Sequence, residues 1–193
     1  MKAHVRNALL SVAVLAILVA AVGWLVWRYE NVVRLGTEVR FACSAYDPYD
    51  PLRGRYLRVT VRERCSDLDG RFTLEKNARR DLKDLYAKME PWTNGLWRVV
   101  SVADRPRTDG GVWVKPKSVR IDGALGATVT LPDQLFVSER IAAEAENVLR
   151  AATASGGKGA VAVYRARDGE IVLTDIEVDG KSITSLARSA MRK

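Results

Sequence analysis

The sequence predicts an α+β fold: a mostly antiparallel β-sheet with two helices, preceded by a single N-terminal transmembrane helix. Three observations carry this. Ala8 to Trp27 contains no charged residue. Later segments alternate apolar and polar residues with the period of a half-buried strand. Two stretches, Thr73–Met89 and Glu139–Thr153, space their apolar residues at helical intervals.

Residues 1–7 form a short basic tail with Lys2 and Arg6, expected in the cytoplasm. Residues 8–27 form the anchor. At 1.5 Å per residue, about 20 helical residues span roughly 30 Å, the hydrocarbon thickness of a bilayer. Trp24, Trp27 and Tyr29 gather at the far end, as an interfacial aromatic belt does. A cleaved signal peptide has a shorter apolar core, about 7–15 residues, followed by small residues. Here the run ends in Trp-Leu-Val-Trp-Arg, so a retained signal-anchor is expected. Arg28, Arg34 and Arg40 blunt the charge asymmetry, but long C-terminal domains translocate largely regardless of charge. The expected arrangement is a single pass through the cell (inner) membrane. Residues 28–36 are then a juxtamembrane linker or an extra helical turn of the anchor, and residues 37–193 an extracytoplasmic, periplasmic domain.

From Thr37, alternation places Val39, Phe41, Cys43 and Ala45 on one strand face. The stretch Asp47-Pro48-Tyr49-Asp50-Pro51-Leu52-Arg53-Gly54 interrupts it. A second strand runs from Arg55 to about Arg64, with Leu57, Val59 and Val61 inward. Thr73–Met89 reads as a helix with a stripe of Leu74, Ala78, Leu82, Leu85, Tyr86 and Met89, ended by Glu90-Pro91. Short strands follow at Leu96–Val102, Gly111–Lys115, Ser118–Asp122 and Ala127–Leu131. Ser138 caps a second helix, Glu139 to about Thr153, with a stripe of Ile141, Ala145, Val148, Leu149 and Ala152. Gly156-Gly157 stops it. Ala160–Arg167 and Glu170–Val178 flank Asp168-Gly169, a dipeptide that supplies the positive φ angles of a tight hairpin turn. Inward parity shifts near Thr174-Asp175, which predicts a bulge. Ser182–Met191 is either a short helix or a frayed tail.

The chemistry is restricted. The one histidine, His4, lies in the N-terminal tail, so the domain must work without imidazole. Two cysteines, Cys43 and Cys65, cannot complete a four-thiolate metal site. They are two free thiols or one disulfide, and the compartment decides between them. Nucleotide-binding glycine patterns are absent, and Ser66-Asp67-Leu68-Asp69-Gly70 reads as a turn rather than a calcium loop. No catalytic, metal or cofactor site is therefore expected. A Ser/Lys hydrolase is the formal exception, with Ser118 beside Lys117 or Ser182 beside Lys181. Sequence neighbours on a strand, however, point to opposite sides. The formal net charge of +8 favours anionic surroundings. Tyr46, Tyr49 and Tyr56, with Arg53, Arg55 and Arg58, could stack on or pair with an anionic glycan or lipid headgroup. The plainer reading of the same residues is strand-packing aromatics and snorkelling arginines. Nucleic acid is not an expected partner.

The two Asp-Pro pairs, Asp47-Pro48 and Asp50-Pro51, then Gly54-x-Tyr56 entering a strand, resemble the GDYXXLXY family of membrane-anchored proteins. Leu135-Phe136-Val137-Ser138-Glu139 before a helix is similar to a later family region. Ala162-Val163-Tyr164, Asp168-Gly169, Leu173, Ile176 and Asp179-Gly180 are similar to its closing hairpin. The motif reads Gly54-Arg55-Tyr56-Leu57-Arg58-Val59-Thr60-Val61 here. Arg55 stands where the family has Asp, and Val59 and Val61 replace its Leu and last Tyr. The resemblance implies an N-terminal anchor, an Asp-Pro loop ahead of the motif strand, and association with multi-pass membrane proteins. It implies no particular activity. The expected role is thus a non-enzymatic accessory or interaction module for another membrane protein, with Asp47, Asp50, Arg53, Gly54, Arg55, Tyr56 and Arg58 as the motif residues.

Overall fold

In a computed structural model of the chain, the structure describes residues 2–45, 56–68, 81–82, 85–121, 126–154 and 159–192. Helix α1 (Lys2–Leu35) is followed by β1 (Thr37–Ala42), β2 (Ser44–Ala45), β3 (Tyr56–Thr60), β4 (Arg62–Cys65), β5 (Asp67–Leu68), β6 (Asp81–Leu82) and β7 (Tyr86–Pro91). Then come β8 (Trp97–Ala103), β9 (Val112–Val114), β10 (Ser118–Ile121), β11 (Ala127–Thr130) and β12 (Gln134–Phe136). Helix α2 (Glu139–Ala154), β13 (Ala160–Arg167), β14 (Glu170–Val178), β15 (Lys181–Ser182) and α3 (Ile183–Ala190) complete the order.

The strands form sheets of order β1-β13-β14-β15, β4-β11-β10-β6, β12-β3-β2 and β5-β8-β7-β9. Pairing is antiparallel throughout the described strands except between β5 and β8. This is the expected α+β fold: among the described residues, α1 is the long N-terminal apolar helix, and α2 and α3 are the helices of the domain.

Strand parity follows the sequence. Val39, Phe41 and Cys43 are buried from the first segment, and Leu57, Val59 and Val61 from the second. Burying one face of each strand fixes its register, because a one-residue slip would expose the whole set. Helix α2 buries Ile141, Ala145 and Leu149 as its spacing requires, with Val148 and Ala152 partly buried. It packs on α3, which buries Ile183 and Ala187. Tyr164 and Phe41 meet edge to face, with centroids 6.1 Å apart, inside the one continuous core. The Asp168-Gly169 turn has φ 51° and 83°, as its dipeptide demands. The bulge falls where parity shifts: Val163 faces Asp175 and Tyr164 faces Leu173, leaving Thr174 as the extra residue.

One predicted element is wrong. Of the helix expected over residues 73–89, the described part is strand: Asp81–Leu82 is β6 and Tyr86–Pro91 is β7. Residues 73–80 and 83–84 lie outside the described residues. Leu85, Ala87 and Met89 are buried while Tyr86, Lys88 and Glu90 are half-exposed, so the period is two. Strand β7 sits between β8 and β9 and satisfies the backbone of both. That tertiary pairing outweighs helix propensity. The Gly156-Gly157 stop also lies outside the described residues.

The juncture after the apolar run is helical as well. Of residues 28–36, read as a linker or an extra helical turn, 28–35 continue α1 directly into the domain. The N–H of Gly36 donates to the Val32 carbonyl at 2.9 Å, and Val32 is buried. A Cβ at Gly36 would stand 2.4 Å from the Val32 oxygen and 3.1 Å from the backbone N and O of Ala166. Only glycine fits there. Helix α1 packs on β13 and β14, reinforced by the Arg28–Glu170 ion pair and by Arg165, which donates to the Gly36 carbonyl at 3.2 Å.

Candidate functional site

The motif strand β3 lies between β2 and β12 and presents Tyr56 and Arg58, both half-buried. Its backbone is tied to the segment before β12: the N–H of Val59 donates to the Asp133 carbonyl at 3.0 Å. One connection on, the N–H of Leu131 donates to the Val61 carbonyl at 3.2 Å. These bonds bring the Asp133 carboxylate over the strand. Arg58 donates to it through Nε at 2.9 Å, and Lys117 through Nζ at 2.7 Å, one cation per carboxylate oxygen. The Asp133 side chain is only 14% exposed. Burial alone would raise its pKa, but the hydrogen bonds and charges of Lys117 and Arg58 outweigh that and hold it below the usual carboxylate range. Beneath it, the Tyr164 hydroxyl donates to the Pro132 carbonyl at 2.8 Å. Burial pushes the Tyr164 phenol up, so it remains a neutral donor.

This arrangement is a clamp. A carboxylate held ionised by two cations is a poor general base, and Lys117 and Arg58 are committed to it. Of the two sequence-neighbour Ser/Lys pairs, Lys117 directs its ammonium to Asp133. Ser182, beside Lys181, shares a 3.0 Å hydrogen bond with Thr184 instead. Beside the clamp, Tyr56 and Phe136 lie with ring centroids 6.2 Å apart, and Phe136 is 77% exposed. The motif strand therefore ends in an apolar surface feature. Of the expected motif residues, the structure places Tyr56 and Arg58; Asp47, Asp50, Arg53, Gly54 and Arg55 lie outside the described residues. Asp133 is the residue that sequence reasoning missed. Its local signal was a Pro132-Asp133 pair between two strands, which is that of an ordinary turn.

Cys43 and Cys65 are both buried, free thiols. Burial pushes the Cys43 thiol up to about 12. Burial also raises Cys65, whose Sγ lies 3.1 Å from the Asp67 carbonyl and 3.0 Å from that of Val100.

A second polar constellation lies on the β5-β8-β7-β9 sheet. Lys88 contacts Glu90 at 3.0 Å and Asp109 at 3.3 Å, and Trp113 Nε1 donates to Asp109 at 3.2 Å. Hydrogen bonding to Glu90 leads the effects that raise the Lys88 pKa. At the tip of the β7–β8 hairpin, the Arg98 guanidinium stacks 3.9 Å over Trp92, which is 54% exposed.

The GDYXXLXY protein family matches residues 18–176, from within the apolar helix to near the end of β14. The chain belongs to the GDYXXLXY family. Neither the curated proteins nor the solved structures gave a match. The stretch that resembles the family motif, Gly54 to Val61, is described from Tyr56 on, as β3 and the residue that follows. Val59 and Val61 in that stretch are 0% and 1% exposed. Their apolar character is what packing uses. The helix that the family match enters at residue 18 is long and apolar enough to cross a membrane over Val12–Leu35.

Proposed function

We propose that this GDYXXLXY protein is a membrane-anchored accessory module that acts by binding another, multi-pass membrane protein rather than by catalysis. Its domain lies on the extracytoplasmic side. The observation that carries the reading is the surface of α1. Every residue from Val12 to Glu30 is exposed on the chain itself, and most of these are apolar. An apolar helix of this length needs lipid or another membrane helix around it. The clamp at Asp133 supports a structural use of the motif strand, and the exposed Phe136 beside Tyr56 offers an apolar contact on the domain.

Photo-crosslinking of the full chain in native membranes, followed by purification in mild detergent, should trap a discrete adduct with a second membrane protein. A chain that stays solitary under all conditions would sink the reading. Protease added to intact spheroplasts should digest the domain; protection of the domain would reverse the orientation.

A further inference from the structure

We propose that the solvent face of β4 and β11 docks an extended acidic segment of a partner protein, with Arg62 and Arg64 each taking one carboxylate. This deepens the accessory-module reading above and rests on it. Alternation along β4 puts Arg62 and Arg64 on one face, both exposed, and Val61, Glu63 and Cys65 on the other. The register then builds two cross-strand rows: Arg62, Thr130 and Ser118, and Arg64, Thr128 and Arg120. All of these are exposed or half-buried, while Val129 and Val119 on the opposite face are fully buried. The outward face of β4, β11 and β10 thus consists of guanidiniums and hydroxyls, with no apolar side chain to enter a bilayer.

Two of its arginines break a pattern. On other strands, Arg40, Arg58, Arg165 and Arg167 each pair with a carboxylate. Among the described residues, no carboxylate pairs with Arg62 or Arg64. Arg120 and Thr128 have partners of their own, so the surplus positive charge is that of Arg62 and Arg64. Nearby acids do not cancel it. Glu63 lies on the opposite face, where burial raises its carboxyl pKa. Asp133, beyond Thr130, is occupied by Arg58 and Lys117. Asp81 stands opposite Arg120, three strand spacings or about 14 Å from Arg64. Asp67 lies on β5, which pairs with β8 instead. Spacing then selects the ligand. Arg62 and Arg64 repeat at about 6.8 Å, the interval between alternate side chains of an extended peptide. Asp or Glu at every second position of such a segment meets both guanidiniums at once, and each guanidinium can hold its carboxylate by a two-point fork. Thr130, beside Arg62, adds a hydroxyl.

The probe is a fluorescent peptide of four Thr-Glu repeats, titrated by anisotropy into the full chain in mild detergent at low salt. It should bind, and Arg62→Ala with Arg64→Ala should weaken binding by about fivefold or more. Arg62→Glu with Arg64→Glu should instead bind a Thr-Lys version of the peptide, a gain that an unfolded face could not give. A peptide of the same composition with its Glu residues in one block should bind more weakly than the alternating one. Absence of binding overturns the docking face, as does equal binding by the two peptides or by the native chain and the alanine variant. Displacement of the peptide by dihexanoyl phosphatidylglycerol at matched charge would assign the face to lipid and overturn it too. Crosslinking in membranes reads the accessory role separately. Loss of the adduct with intact peptide binding removes that role and leaves the face, and an adduct without peptide binding does the reverse.

Discussion

Asp133 holds together segments far apart in sequence, with Arg58 75 positions away and Lys117 16. Asp133→Ala would remove the carboxylate that joins Arg58 to Lys117 and should cost about 1–3 kcal/mol in the unfolding free energy, measured by denaturant titration. Because its folded pKa is depressed, the clamp stabilises fully at neutral pH. That contribution is lost as pH falls below the ordinary aspartate range and through the lower folded value. Asp133→Asn should therefore flatten the acid limb of a stability–pH profile; an unchanged limb would show that the clamp contributes nothing. Tyr164→Phe keeps the Phe41 contact and deletes the bond to Pro132, with an expected loss of about 1 kcal/mol in thermal unfolding. None of this was legible in the sequence. Local patterns placed Arg58 on a strand, but the partner that occupies it comes from a separate turn, and only the fold joins them.

Among the elements, those with one available reading were legible. Asp168-Gly169 permits few alternatives to a hairpin, and the apolar residues of 139–153 fit no strand. Thr73–Met89 was ambiguous because Leu82, Leu85, Tyr86 and Met89 fit a helical stripe while Leu85, Ala87 and Met89 fit a strand. The valine-rich β8 decided it by recruiting β7 as its neighbour. The short strands β5, β12 and β15 carry too few residues to show a period. The junction at Gly36 was partly hidden: the tightest restriction is the local Val32 carbonyl at 2.4 Å, but the backbone of Ala166, on a distant strand, closes the other side at 3.1 Å. Gly36→Ala should force the Val32 carbonyl or β13 to move, costing about 1–3 kcal/mol, read as a lowered melting temperature in detergent. An unaltered melting temperature would mean that the helix end gives way freely.

The whole molecule keeps both thiols in its interior. They should resist alkylation under native conditions and react once denaturant unfolds the domain, as mass spectrometry would report. Modification of the native protein at the same rate would contradict the packing. The Cys43 thiol stays protonated to about 12 in the fold, whereas an unfolded thiol ionises from about 8.5. Stability should therefore decline across that alkaline window, and Cys43→Ser should change the slope. The fused helix also fixes a phase. With no slack between α1 and β1, each residue inserted ahead of Arg28 would turn the domain by about 100° around the helix axis and lift it by about 1.5 Å. Each face of the domain is thus locked to one face of the apolar helix, and the two turn only as one piece.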